Sequence, residues 1–119
     1  MDKVNLAEKF AAFADTWSPK IAADLNGQQV KLAKLEGEFV WHHHDDEDEL
    51  FLVVRGTLRM LFRDREVVLE EGEFLVVPRG VEHKPVADEL CEVLLFEPAS
   101  TLNTGNVRND RTRDDLDRV

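Results

Sequence analysis

Between residues 28 and 97 the chain is a succession of short apolar-rich segments with no helical periodicity between them, and this limits the fold more than any other feature. The segments are residues 30–35, 39–44, 50–54, 58–62, 66–69, 74–77 and 89–97, separated by Gly, Asp or Pro. Strands at such regular spacing predict an all-β antiparallel sandwich or barrel. Asp64-Arg65 and Glu71-Gly72 read as hairpin turns. A chain of 119 residues suits one domain. The expected division is a helix and linker over 1–19, a single barrel over 20–98 and a polar tail over 99–119.

Leu6, Phe10, Phe13 and Trp17 recur at i, i+4, i+7 and i+11, which predicts a short helix over 5–17 ended by Ser18-Pro19. A lone helix with one apolar stripe must dock on the barrel or on a partner subunit. The run Leu50-Phe-Leu-Val-Val54 carries a related expectation. If Glu49 faces the barrel interior, so do Phe51, Val53 and Arg55, leaving Leu50, Leu52 and Val54 outside. Three outward aliphatics call for a cover, and a homodimer with the helix across or beside its interface would supply one. The tail mixes charges with few apolar residues and is expected to be mobile or laid on the surface.

Acids outnumber bases 25 to 15 and the net charge is −10, which excludes nucleic acid as a partner, since phosphate backbones need clustered Lys and Arg. No apolar run approaches membrane-spanning length, and the charged start has no signal core. The only cysteine, Cys91, sits in an apolar segment as a buried, inert thiol. These features predict the cytoplasm. The acidic run from Asp45 to Asp48 beside the histidines reads as a solvated loop, and its functional reading is a negative collar that favours cation entry and disfavours a free anionic substrate.

Those histidines are where function must be argued. His42 and His44, two apart in an extended segment, point to one side, and His43 points away. Glu49 opens the next strand, and His83 follows the Pro78-Arg-Gly80 turn. Three imidazoles and a carboxylate that can converge make a ligand set for a divalent transition metal such as Fe, Mn, Ni or Zn. Glu47 or Asp48 could replace Glu49 if the acidic loop folds back. No residue is assigned a catalytic role.

The two segments that carry these residues resemble the two motifs of the cupin superfamily. Gly37, His42, His44, Glu49 and Gly56 match the first motif, and Gly72, Pro78, Gly80 and His83 match the second. Two positions depart from the usual pattern: four residues rather than five separate Gly37 from His42, and Ala87 stands where Asn is common. The resemblance is to the small single-domain cupins of bacteria. It implies a double-stranded β-helix (jelly-roll barrel) of six or more strands, and a metal on His42, His44, Glu49 and His83 with positions open to water or substrate.

Cupins similar to this one include dioxygenases, sugar-phosphate isomerases, decarboxylases and proteins that only bind a ligand, so the resemblance does not select a reaction. The expected function is metal-dependent binding of a small organic ligand. An iron-dependent dioxygenase, a phosphomannose-isomerase-like enzyme and a non-enzymatic sensor are the alternatives. Glu38, Glu82 and Glu92 are candidate proton carriers, and Lys31, Lys34, Arg79 and Lys84 could cradle a phosphate. Phe51 and Val53, with Met60 and Phe62, predict a partly apolar pocket, with Trp41 outside it.

Overall fold

The computed structural model describes residues 1–119. Helix α1 (Leu6–Ala11) precedes seven strands: β1 (Lys20–Leu25), β2 (Gln28–Glu38), β3 (Glu49–Arg55), β4 (Leu58–Phe62), β5 (Glu66–Leu69), β6 (Phe74–Val77) and β7 (His83–Pro98). Every strand pairing is antiparallel, and the sheet runs β1-β2-β7-β3-β6 with β4 and β5 branching from β7. The fold is therefore the all-β barrel that the strand punctuation predicts.

Strand β7 closes the barrel because it serves two layers. Its second half lies between β2 and β3, and its first half pairs with β4. Cys91, Val93, Leu95 and Glu97 alternate inward and are buried, while Asp88, Glu89 and Leu90 mark the exposed passage between layers. Strand β2 follows β7 across that passage, with a register shift between Leu35 and Gly37. Gly37 has φ +87°, a left-handed conformation that glycine reaches without strain, so the first motif's glycine bends the strand.

On β3 the predicted parity holds for Glu49, Phe51 and Val53, all buried, with Leu50, Leu52 and Val54 half-buried on the outer face. Arg55 departs from it. A bulge between Val53 and Arg55 resets the alternation and leaves Arg55 exposed. Leu52 pairs with Phe74 and Leu94, and Leu50 with Val76 and Phe96, so apolar side chains run across the outside of β6, β3 and β7. Phe74 is 62% exposed and Val76 47%.

The N-terminal helix is shorter than its stripe predicts. Asn5 caps it, its side chain accepting from the Glu8 N–H at 3.0 Å, and it ends at Ala11. Trp17 lies beyond it with φ +56°. There its backbone N–H donates to the Lys34 carbonyl and its indole N–H to the Glu36 carbonyl, both at 2.8 Å. Its ring stacks on Phe39 at 4.7 Å. Buried stacking with both donors satisfied outweighs continuation of a helix through Asp15 and Thr16, which are poor helix formers. Only Phe10 of the stripe buries from the helix itself. No helix is long and apolar enough to cross a membrane.

The polar tail is laid along the barrel. Ile21 donates its N–H to the Asp117 carbonyl, Val119 donates to Ile21, and Arg118 pairs with Asp24. Thr104 is fully buried, its hydroxyl 2.7 Å from that of Thr112. Asn106 and His43 exchange two hydrogen bonds, which fixes the tail against the histidine segment.

Gly105 allows that approach. A Cβ there would lie 2.2 Å from the His43 carbonyl oxygen. Gly105→Ala is expected to lower stability by about 1–3 kcal/mol, the usual range for overpacking, as measured by urea denaturation.

Candidate metal centre

His42 and His83 belong to different segments and meet through an isolated antiparallel bridge. The His42 N–H donates to the His83 carbonyl at 3.0 Å, and the His83 N–H donates back at 2.9 Å. Regular β2 ends at Glu38, so His42 and His44 lie on an irregular extension rather than on a sheet strand. The alternation survives: His42 and His44 are buried, and His43 turns outward with Nε2 3.0 Å from Asp45. The Pro78-Arg-Gly80 turn is tied to the same segment, because Gly80 donates its N–H to the His44 carbonyl at 2.7 Å. Glu49 enters as the first residue of β3.

One donor atom from each of His42, His44, Glu49 and His83 lies within 4.8 Å of the other three, and all four residues are buried. The ring orientations follow from the backbone. His42 Nδ1 is 2.9 Å from the Val40 carbonyl and His83 Nδ1 is 2.9 Å from the Val81 carbonyl. A carbonyl only accepts, so each Nδ1 carries the proton and each Nε2 presents a lone pair. His44 Nε2 and His83 Nε2 then approach Glu49 Oε1 to 2.9 and 3.3 Å, yet none of these three atoms has a hydrogen-bond partner.

Lone pairs that converge in a desolvated site repel unless a cation lies among them. Three imidazole nitrogens and a carboxylate oxygen suit a divalent transition metal, so the residues present fit such an ion. The Nδ1–H bonds to backbone carbonyls are the kind of outer support that fixes ligand histidines.

Burial first, and then His83, push the His42 imidazole down to about 4, so it is neutral at pH 7. Burial disfavours ionisation of Glu49; positive charge at His44 and His83 outweighs this and holds it well below the usual carboxylate range, an effect that a cation among the donors would take over where those imidazoles are neutral. Glu97 behaves oppositely, with burial and then Glu49 raising it well above that range against the pull of Lys31.

The site opens on a narrow cavity of about 40 Å³ whose walls include Trp17, Phe39, Phe51 and Leu95. Its polar lining is His42, Glu49, Glu97 and Asn103. Of the predicted apolar lining only Phe51 is present. Val53 and Met60 pack in the core beneath, and Phe62 faces a separate groove with Arg63 and Glu82. Trp41 lies outside the pocket under the Arg63 guanidinium, 3.8 Å from its ring centre.

The acidic loop does not supply ligands, since Glu47 accepts from the Ser100 hydroxyl and Asp48 pairs with Arg79. Glu38 and Glu82 are held by Lys84 and Arg63, and Glu92 lies by α1, away from the pocket. Sequence reasoning missed Trp17, Glu97 and Asn103 as lining residues. Glu97 left one signal: it falls on the inward parity of Cys91, Val93 and Leu95.

Comparison with known proteins agrees with this geometry. The Cupin domain family matches residues 28–97. A cupin-2 domain containing protein from Shewanella frigidimarina is 50% identical, with a TM-score of 0.79 over 80% of this chain and 93% of that one. Protein NMB1881 from Neisseria meningitidis is 33% identical, with a TM-score of 0.76 over 82% of this chain and all of that one. The uncharacterized protein YdbB of Bacillus subtilis is 43% identical over 63 residues, 52% of this chain. The match spans 56% of YdbB.

The low position of His42 has a consequence for stability. Between the ordinary histidine value of about 6.5 and about 4, the unfolded chain takes up a proton that folded His42 refuses. Stability of chelator-treated protein is therefore lost as pH falls through this window, by at most about 1.4 kcal/mol per pH unit. Thermal melts of His42→Gln against the parent should show a shallower fall between pH 6.5 and 4.

Proposed function

The chain belongs to the Cupin domain family, and on that footing we propose that it holds one divalent transition metal on His42, His44, Glu49 and His83 and binds a small, unphosphorylated organic ligand beside it. The convergence of partnerless, buried donor atoms from His44, Glu49 and His83 carries this reading. When bound, such an ion supplies Lewis acidity or, as iron, one-electron chemistry.

The chain's own residues support the ligand half. Trp17, Phe39 and Phe51 offer flat apolar contact next to the donors, and Asn103 from the tail joins the polar lining. No Lys or Arg lines the pocket. The four cations that might have cradled a phosphate are engaged elsewhere: Lys31 with Glu97, Lys34 with the Phe13 carbonyl, Arg79 with Asp48 and Lys84 with Glu38. This weighs against the phosphomannose-isomerase-like alternative. An iron-dependent dioxygenase and a ligand sensor share the remaining ground, and oxygen uptake by the iron-loaded protein with a chelating substrate separates them. The proposed location is the cytoplasm, where a lone thiol such as Cys91 stays reduced. Burial and then Glu92 push that thiol up to about 11, so it is inert.

A second copy of the chain is the proposed cover for the outer apolar face. Two copies of a chain with net charge −10 repel over most of their surface, and the ladder of Phe74, Leu52 and Leu94 beside Val76, Leu50 and Phe96 carries no charge. Sedimentation should show a dimer at micromolar concentration. Phe74→Asp should yield a folded monomer that keeps its metal.

Elemental analysis of protein purified without added metal or chelator tests the site, with about one transition-metal ion per chain expected. His83→Ala should remain folded and lose most of that ion, and full stoichiometry in this variant would refute the ligand set. His43→Ala should keep the ion, because its ring points away.

A further inference from the structure

Lys31 and Glu97 form an ion pair inside the barrel, with Nζ to Oε1 at 2.8 Å and side chains 2% and 3% exposed. Neither is needed to complete the four-donor set. Burying an ammonium against a carboxyl costs more than such a contact usually returns, and apolar residues of similar size would hold the barrel as well or better. Stability therefore does not account for its presence, and its surroundings suggest what does.

Leu50 pairs with Phe96 across β3 and β7, which makes Glu49 and Glu97 neighbours on the inner face one step further along. On the opposite flank, Gln29 pairs with Glu97 and Lys31 with Leu95 across β2 and β7. Glu97 thus stands between Lys31 and Glu49, with Oε1 taken by the ammonium and Oε2 fully buried without a hydrogen-bond partner. Glu97 also shares the pocket wall with His42 and Glu49.

We infer that Glu97, anchored by Lys31, is a positioning residue that sets the orientation of the Glu49 carboxylate toward the three imidazoles. Lys31 fixes one oxygen of Glu97, so the other side of the carboxyl forms a rigid wall against Glu49. Without it, Glu49 would be free to rotate away from the common point it shares with His44 and His83. The inference rests on the proposed metal site and adds an outer support for its one acidic donor, alongside the carbonyls that support His42 and His83.

The test measures Zn²⁺ affinity by competition with a chelating dye, together with the Tm of the metal-free protein. Lys31→Met/Glu97→Leu removes both members of the pair, leaves the four donors in place and keeps the formal net charge of the chain. Its metal-free Tm should equal or exceed that of the parent while its Kd for Zn²⁺ rises about 10–100-fold. Glu97→Gln keeps an acceptor for Lys31 and a polar group against Glu49, and should bind Zn²⁺ close to the parent level. Parental affinity in the double variant, or its failure to fold, would assign the pair to stability and overturn the inference. A parent protein that binds no Zn²⁺, Mn²⁺, Ni²⁺ or Fe²⁺ would instead overturn the metal reading on which it rests.

Discussion

Two backbone hydrogen bonds between His42 and His83 hold the functional half of this molecule together. They join the segment that leaves β2 to the start of β7, and they set two imidazoles side by side with ring centres 4.3 Å apart. The Gly80 N–H on the His44 carbonyl extends the same seam by one turn. Loops on both sides can then vary without moving the nitrogens, because ring placement depends on main-chain bonds and on carbonyls two residues upstream. The tail adds to the seam from outside, where Asn106 bonds to both polar groups of the His43 backbone.

Much of this was legible from residue spacing because it depends on local chain geometry. Alternation put His42 and His44 on one side and His43 on the other even where no regular strand forms, since any extended backbone has that period. The turn residues Pro78 and Gly80 announced the reversal that delivers His83. What escaped notice depends on contacts between distant segments. Trp17 continued a helical stripe perfectly well in one dimension, and only contacts with β2 and Phe39, distant in sequence, take it out of the helix. Lys31 reads as a cation able to cradle a phosphate, and alternation does not reveal its burial because β2 is covered on both faces at its centre: Leu32 is as inaccessible as Lys31 and Ala33. Where a strand is covered on both sides, period-two patterning stops distinguishing inside from outside. Arg55 was misplaced for a simpler reason, since a bulge leaves no mark in composition.

The electrostatics of the interior follow from a small number of charges. Burial keeps the His42 imidazole in its neutral form and Glu49 is held well below the usual carboxylate range, so the four-donor set presents an ionised carboxylate in a site that excludes water. Nearby, the Lys31 ammonium faces Glu97, whose carboxyl burial and Glu49 push up. A divalent cation turns the set net positive, and outside it the collar of Asp45, Asp46 and Glu47 stays solvated and negative. On the proposed reading that arrangement favours small cations over free anions, in keeping with a pocket that no Lys or Arg lines.

Division of labour along the chain follows from where each wall of the pocket originates. All four proposed metal ligands fall within residues 28–97, the part matched by the Cupin domain family. Trp17 and Asn103, which narrow the pocket, lie outside that part, on the segments before and after it. Each is held by its own bonds: Trp17 by the Lys34 and Glu36 carbonyls, Asn103 by the Arg111 carbonyl and the Arg113 N–H. Arg111 then lies over the Trp17 and Phe39 rings, 5.4 and 5.8 Å from their centres, and links the two ends of the chain at one place. Substitutions in the end segments can therefore reshape the ligand pocket while leaving the metal donors untouched. The barrel carries the four donors, and the two flanking segments complete the wall of the cavity beside them, which on the proposed reading is where ligand selection would lie.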